Sequence, residues 1–149
     1  MLRNPGAVRP WQYVLEPLAG YLWLGIWLLR DTAGYSGAWN FGPEGDDLLT
    51  VEEVVKLLLE HWDGGEYTVD ATRQPYEAGM LRLDTGKARC LLKWAPVYGI
   101  REAMERPAAW YRSFYNDGAQ KGGSDYTIKE IEDYVRAARR RGVAWATEA

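Results

Sequence analysis

The 149-residue sequence contains one cysteine and one histidine. A lone cysteine excludes an internal disulfide framework and any cysteine-rich metal site. A lone histidine excludes His-pair metal motifs and every mechanism that needs two imidazoles. Basic residues are not in excess: 18 Lys and Arg stand against 21 Asp and Glu, a formal net charge of −3. No nucleic-acid partner held by bulk positive charge is therefore expected. Long hydrophobic runs are also lacking. The most apolar stretch, residues 14–29, is interrupted by Glu16 and Pro17. It is shorter than the ~20 residues that cross a bilayer, so it reads as a core helix and no membrane partner is expected. The opening Met1-Leu-Arg-Asn-Pro5 has no apolar h-region or small-residue cleavage site, which makes the cytoplasm the expected location.

Nucleotide-binding signatures are absent from the sequence too. No G-x-G-x-x-G follows a strand pattern, and no G-x-x-x-x-G-K-[ST] occurs. The glycines of 118–123 lack a strand–loop–helix setting. Tyr126 and Lys129 stand one position too close for a Tyr-x-x-x-Lys pair, and Ser36, Ser113 and Ser124 are outside nucleophile-elbow contexts. What the chain does have is rings: eight Trp and ten Tyr beside two Phe. These supply large buried areas and can serve as platforms for sugars and bases.

Length and composition fit one domain, residues 1–149. Periodicity predicts a helix over 14–30, with Pro17 tolerated in its first turn, then a loop over 31–36. A short strand is expected over 37–42 and an acidic loop over 44–49. Thr50-Val-Glu-Glu53 is a capping box, and Val51, Val54, Val55, Leu58 and Trp62 follow helical spacing behind it. Residues 66–70 read as a strand, 71–79 as a loop, and 80–84 as an extended piece. Residues 85–93 read as a short helix with Ala88, Leu91 and Leu92 inward. Ile100, Ala103, Met104, Tyr111 and Phe114 form a further stripe that Pro107 is expected to kink or break, with a restart near Ala108. Residues 116–126 read as a flexible loop. Thr127-Ile-Lys-Glu130 repeats the capping-box pattern, and Ile128, Ile131, Val135 and Ala138 give the last helix an apolar face.

Several helices with short, separated extended pieces make a mixed α/β unit. Its strands are too few for a doubly wound sheet of their own, which suggests a lobe that completes a larger structure. His61 reads as a surface residue favoured by a helix C-terminus. Cys90 reads as a buried, inert thiol, and Arg139-Arg-Arg141 as solvated charge closing a helix.

The informative stretch is Arg3-Asn-Pro-Gly-Ala-Val-Arg-Pro-Trp-Gln-Tyr-Val-Leu-Glu-Pro17. An arginine just before a helix, held by a proline and aromatics, can serve as a fixed anion clamp, because its planar fork binds phosphate oxygens bidentately. An arginine simply packed on Trp11 satisfies the same pattern. Further along stand Gly37-Ala-Trp-Asn-Phe-Gly-Pro43, Thr50-Val-Glu-Glu-Val, Arg73-Gln-Pro-Tyr-Glu-Ala78, Leu81-Arg-Leu-Asp84 with Lys87-Ala88, and Trp94-Ala-Pro96. In this order, over about residues 3 to 115, the chain resembles the C-terminal half of the cytidine-diphosphate-glucose (CDP-glucose) 4,6-dehydratases. These are members of the extended short-chain dehydrogenase/reductase superfamily.

The resemblance implies a fold and roles. The fold is a small mixed helical and short-strand α/β substrate-binding lobe, with the Rossmann half missing. Arg9 would contact the diphosphate of a nucleotide sugar, Arg73 would approach the same diphosphate, and Glu77 would orient that loop or contact the nucleotide sugar. The family reaction oxidises C4 of the glucose with bound NAD, eliminates water across C5–C6 and returns the hydride to C6. The NAD loop, the Tyr-x-x-x-Lys pair and the acid/base residues belong to the missing half. No cofactor is therefore expected in this chain, which should be inactive alone. Expected partners are CDP-glucose or a related nucleotide sugar, a separate Rossmann-half chain, and further copies of itself. A non-catalytic assembly module and a lobe of a related epimerase or dehydratase are the competing readings. Tyr13 and Tyr76 stand where the family usually has histidine, and Pro107 replaces a helix-compatible residue.

Overall fold

The computed structural model describes residues 1–45, 48–62, 64–70, 72, 78–116 and 123–148. Its order is β1 (Val8–Arg9), α1 (Leu15–Arg30), α2 (Thr32–Tyr35), β2 (Leu49–Thr50), α3 (Val51–Glu60), α4 (Gly86–Leu92), α5 (Ile100–Asn116), α6 (Gly123–Arg140) and α7 (Ala144–Thr147). The two strands form an antiparallel pair with Val8 opposite Thr50 and Arg9 opposite Leu49. The fold is thus small, mixed and dominated by helix.

Helix α1 has two faces. Glu16, Gly20 and Trp23 lie inward, and the Trp23 indole donates to the Leu92 carbonyl at 2.8 Å. Gly20 is required because a Cβ there would stand 2.7–2.8 Å from Cε1 and Cγ of the Phe41 ring. Val14, Leu18, Tyr21, Leu22 and Leu29 line the other face and are exposed, Leu22 by 75% and Leu29 by 90%. Helix α3 begins where the capping box places it. Glu53 N–H donates to Thr50 Oγ1 at 3.2 Å, and Thr50 N–H donates to Glu53 Oε2 at 2.8 Å. The carbonyls of Ala7 and Pro5 accept from the N–H groups of Val51 and Glu52, so the chain around β1 satisfies two more first-turn donors.

Helices α3, α5 and α6 pack in sequence around a core containing Tyr13, Val54, Val97, Tyr98, Met104 and Tyr134. A second cluster joins Trp23, Phe41, Ala88, Leu92, Trp94 and Ala144, and Trp145 touches both. Helix α4 ends on Lys93 in the left-handed conformation (φ 52°), and the next residue, Trp94, is buried.

Several expectations need correction. Residues 37–42 and 66–70 are not strands. Residues 37–42 carry no regular structure after a bend at Gly37, and in 66–70 only Val69 bridges, to Leu2; in the extended piece expected over 80–84, Met80 bridges to Val8. A strand needs a ladder partner, and among the described residues the N–H groups of 38–42 have none. The 31–36 loop contains one helical turn, α2, capped by the Asp31 side chain. Pro107 does not break its helix: α5 runs from Ile100 to Asn116 through it. Thr127-Ile-Lys-Glu130 lies inside α6 rather than at its start. There Thr127 Oγ1 accepts from the Trp110 indole at 2.9 Å, and Glu130 is buried.

Leu91, Ile128 and Ile131 are exposed, not inward, and so is Cys90. The inward face of α6 is carried by Glu130, Tyr134, Ala137 and Ala138. Of the loop expected over 116–126, residues 117–122 lie outside the described ones, Asn116 closes α5 and Gly123 opens α6.

Candidate functional site

Arg9 ends β1, directly opposite Leu49. Its guanidinium Nη1 donates to the Val8 carbonyl at 2.8 Å and to the Ala78 carbonyl at 3.0 Å. A guanidinium is a planar, rigid fork, so the two backbone carbonyls fix its orientation. Arg73 and Glu77 lie outside the described residues. The chain on either side of them is anchored beside Arg9's own stretch. Asp70 N–H donates to the Leu2 carbonyl at 2.8 Å, and Val8 N–H donates to the Gly79 carbonyl at 2.8 Å.

Immediately after Arg9, Pro10 lines an open cleft of about 520 Å³, bordered by Pro43, Glu44, Gly45 and Leu48 and by residues between Arg82 and Cys90. Two arginines that sequence reasoning left without a role stand in its wall. Arg82 donates from Nη2 to the Gly45 carbonyl at 3.0 Å, and Arg89 pairs with Glu44 at 3.4 Å. Arg82 sits inside the quoted Leu81-Arg-Leu-Asp84 motif, so its place in the motif was the available signal. Arg89 carried none, because the turn that meets it is distant in sequence. Glu44 and Asp84 balance the two cations, so the cleft has no bulk positive charge. Cys90 lies at its edge. On the neighbouring face, Lys87 Nζ stands 4.0 Å over the Trp39 ring and donates to the Ala38 carbonyl at 3.1 Å.

Behind Arg9 the chain is pinned at almost every residue. The Trp11 indole donates to the Leu49 carbonyl at 3.0 Å and Gln12 Nε2 to the Phe41 carbonyl at 3.0 Å. Tyr13 points inward, not to the cleft. Its hydroxyl donates to Glu130 Oε2 at 3.0 Å, and Arg106 Nη1 reaches the same carboxylate at 3.2–3.3 Å. Glu16 is fully buried and accepts from Val97 N–H and Tyr98 N–H, each at 2.8 Å, and from the Tyr134 hydroxyl at 2.7 Å. Burial holds the Glu16 carboxyl above the ordinary carboxylate value, and the three donors offset only part of that penalty. Burial, with the Glu130 charge added to it, likewise raises the Tyr13 phenol, so its proton stays on the oxygen.

Among the described residues no cluster of His, Cys, Asp and Glu could hold a metal ion. No helix among them is long and apolar enough to cross a membrane. NAD does not fit them either. No glycine-rich turn joins a strand to a helix N-terminus, and β2 runs straight into α3 at Thr50–Val51.

No protein-family profile matches the chain. It is similar to the CDP-glucose 4,6-dehydratase of Salmonella typhimurium, with 38% identity over 144 residues. That alignment takes in 94% of this chain and 38% of the relative's length, a share consistent with a C-terminal part. The resemblance read from the motifs is borne out at this level.

Proposed function

Taking that similarity as the premise, we propose that the chain is the nucleotide-sugar-binding lobe of a CDP-glucose 4,6-dehydratase, inactive by itself. It takes CDP-glucose, or a close nucleotide sugar, with the diphosphate on the Arg9 guanidinium. Arg73 is the second cation on that diphosphate, and Glu77 orients the loop or contacts the nucleotide sugar. The observation that carries this reading is the 38% identity along nearly the whole chain. The fixed Arg9 guanidinium, and the open cleft that the next residue, Pro10, lines, support it. Charge-assisted, forked hydrogen bonds are the strong ones, and an orientation set in advance lowers the ordering cost of binding.

Calorimetry with CDP-glucose tests the clamp. Arg9→Ala weakens binding by about 1.5–3 kcal/mol, the range for a hydrogen bond to a charged group. Arg9→Lys also weakens it, because the fork is lost. Equal affinities for wild type and Arg9→Ala would remove Arg9 from the site.

The chemistry then belongs to a Rossmann half, on another polypeptide or on the missing part of this one, that brings NAD, a proton-relay tyrosine and lysine, and the acid/base groups for dehydration. The apolar face of α1, and the N–H groups of 38–42, which have no backbone partner among the described residues, favour such a half, because both are features that a second α/β unit covers. Co-expression with a Rossmann-half chain yields dehydratase activity on this reading. The same two features favour the alternative of a non-catalytic assembly module. That alternative gains if partner binding is found with no affinity for nucleotide sugars.

A further inference from the structure

Two carboxylates are buried in this small interior: Glu16 holds Val97, Tyr98 and Tyr134, and Glu130 holds Tyr13, four residues after Arg9. A buried carboxylate is costly, and well-packed apolar residues are often as stable or more so. Glu130 occupies a position on α6 that apolar packing against Tyr13 could fill. Instead it binds the Tyr13 hydroxyl and is itself held by Arg106, whose guanidinium carbon lies 4.3 Å over the Tyr98 ring. Only Pro10, Trp11 and Gln12 separate Tyr13 from Arg9. Pro10 has a fixed φ. Trp11 N–H donates to the Arg9 carbonyl at 2.9 Å, while its indole holds the carbonyl of Leu49, the residue paired with Arg9. The connection from Tyr13 back to Arg9 has little slack.

We propose that Tyr13 is a positioning residue for the Arg9 clamp: its hydroxyl bond to Glu130, braced by Arg106, fixes the turn that aims the guanidinium at an anionic ligand. This rests on the reading of Arg9 as a diphosphate contact. It ties the ligand site to the α5–α6 pair, which contributes none of the described residues that line the cleft.

The test uses the full chain and two readouts: the Nε–H proton signal of Arg9 without ligand, assigned by its loss in Arg9→Lys, and CDP-glucose affinity by calorimetry. Tyr13→Phe keeps the ring and removes the hydroxyl. It shifts the Arg9 signal and lowers affinity about 5–10-fold, as loss of one buried hydrogen bond would. Glu130→Gln keeps an acceptor oxygen and stays within about twofold of wild type, a conservative rescue. A purely structural bond would lower the thermal midpoint and leave the Arg9 signal in place, and that result overturns the proposal. Glu130→Asp shortens the acceptor arm and serves if Tyr13→Phe does not fold; an unmoved Arg9 signal there overturns it equally. If the wild-type chain has no affinity for CDP-glucose, the functional reading fails by itself. The Arg9 signal in Tyr13→Phe then decides the positioning role alone, shifted in its favour or unmoved against it.

Discussion

Glu16 shows how one residue ties distant parts of this chain together. It stands in the first turn of α1, where a carboxylate reads as a partner for the helix dipole. In the structure it reaches across to hold the backbone of Val97 and Tyr98 and the hydroxyl of Tyr134. Nothing in the local sequence distinguishes the two roles, because the donors arrive from 81 to 118 residues away. Its raised pKa has a defined consequence. The folded chain holds the Glu16 proton more tightly than the unfolded chain, whose carboxyl keeps the ordinary value of 4.5. The site's contribution to stability is therefore full below that value and is lost as pH rises through the folded value. In Glu16→Gln this pH dependence disappears, so the urea midpoint changes less steeply between pH 4.5 and neutrality. An identical slope in wild type and variant would show that the carboxyl titrates normally.

The elements were legible where their signals were local. The Thr50–Glu53 box marks the start of α3 because its two hydrogen bonds join residues three apart. The same pattern at Thr127 is embedded in α6, where Thr127 is taken by Trp110 and Glu130 by Tyr13 and Arg106, both tertiary events. Short strands were over-read at 37–42 and 66–70 because β propensity expresses itself only against a neighbouring strand. Pro107 was over-weighted in the other direction. It gives up the N–H that would bond the Ala103 carbonyl, yet the buried Ala103, Met104 and Ala108 hold α5 in place across the gap. Pro107→Ala restores that donor and should raise the thermal midpoint, through a gain in stability of up to the ~3 kcal/mol that an interior proline costs. A lower midpoint would mean that the ring's packing against neighbouring helices matters more than the missing bond. Of the candidate site, Arg9 was legible as a fixed arginine, whereas the cleft lined by Pro10 was not, because its walls come from segments about 40 residues apart.

At the scale of the molecule, the outer stripe of α1 is the dominant surface feature. Val14, Leu18, Tyr21, Leu22 and Leu29 recur at helical spacing on the face opposite Glu16, Gly20 and Trp23. Beside it a groove of about 340 Å³ runs between α1 and α6, with Trp23, Ile131 and Trp145 in its walls. Apolar stripes of this kind drive association when left uncovered. Sedimentation velocity is expected to show reversible self-association that rises with concentration, and Leu22→Glu should reduce it without loss of helix content. A single unassociated species across the concentration range would count against a covered-face role for α1.

The chain's one thiol sits at the rim of the Pro10 cleft and reaches solvent. That makes the cleft chemically addressable as the protein stands: a maleimide dye attaches at Cys90 and nowhere else, with no background cysteine to remove. Ligands could then be screened by the change in that dye's emission, which reports occupancy of this cleft alone and needs no catalytic turnover.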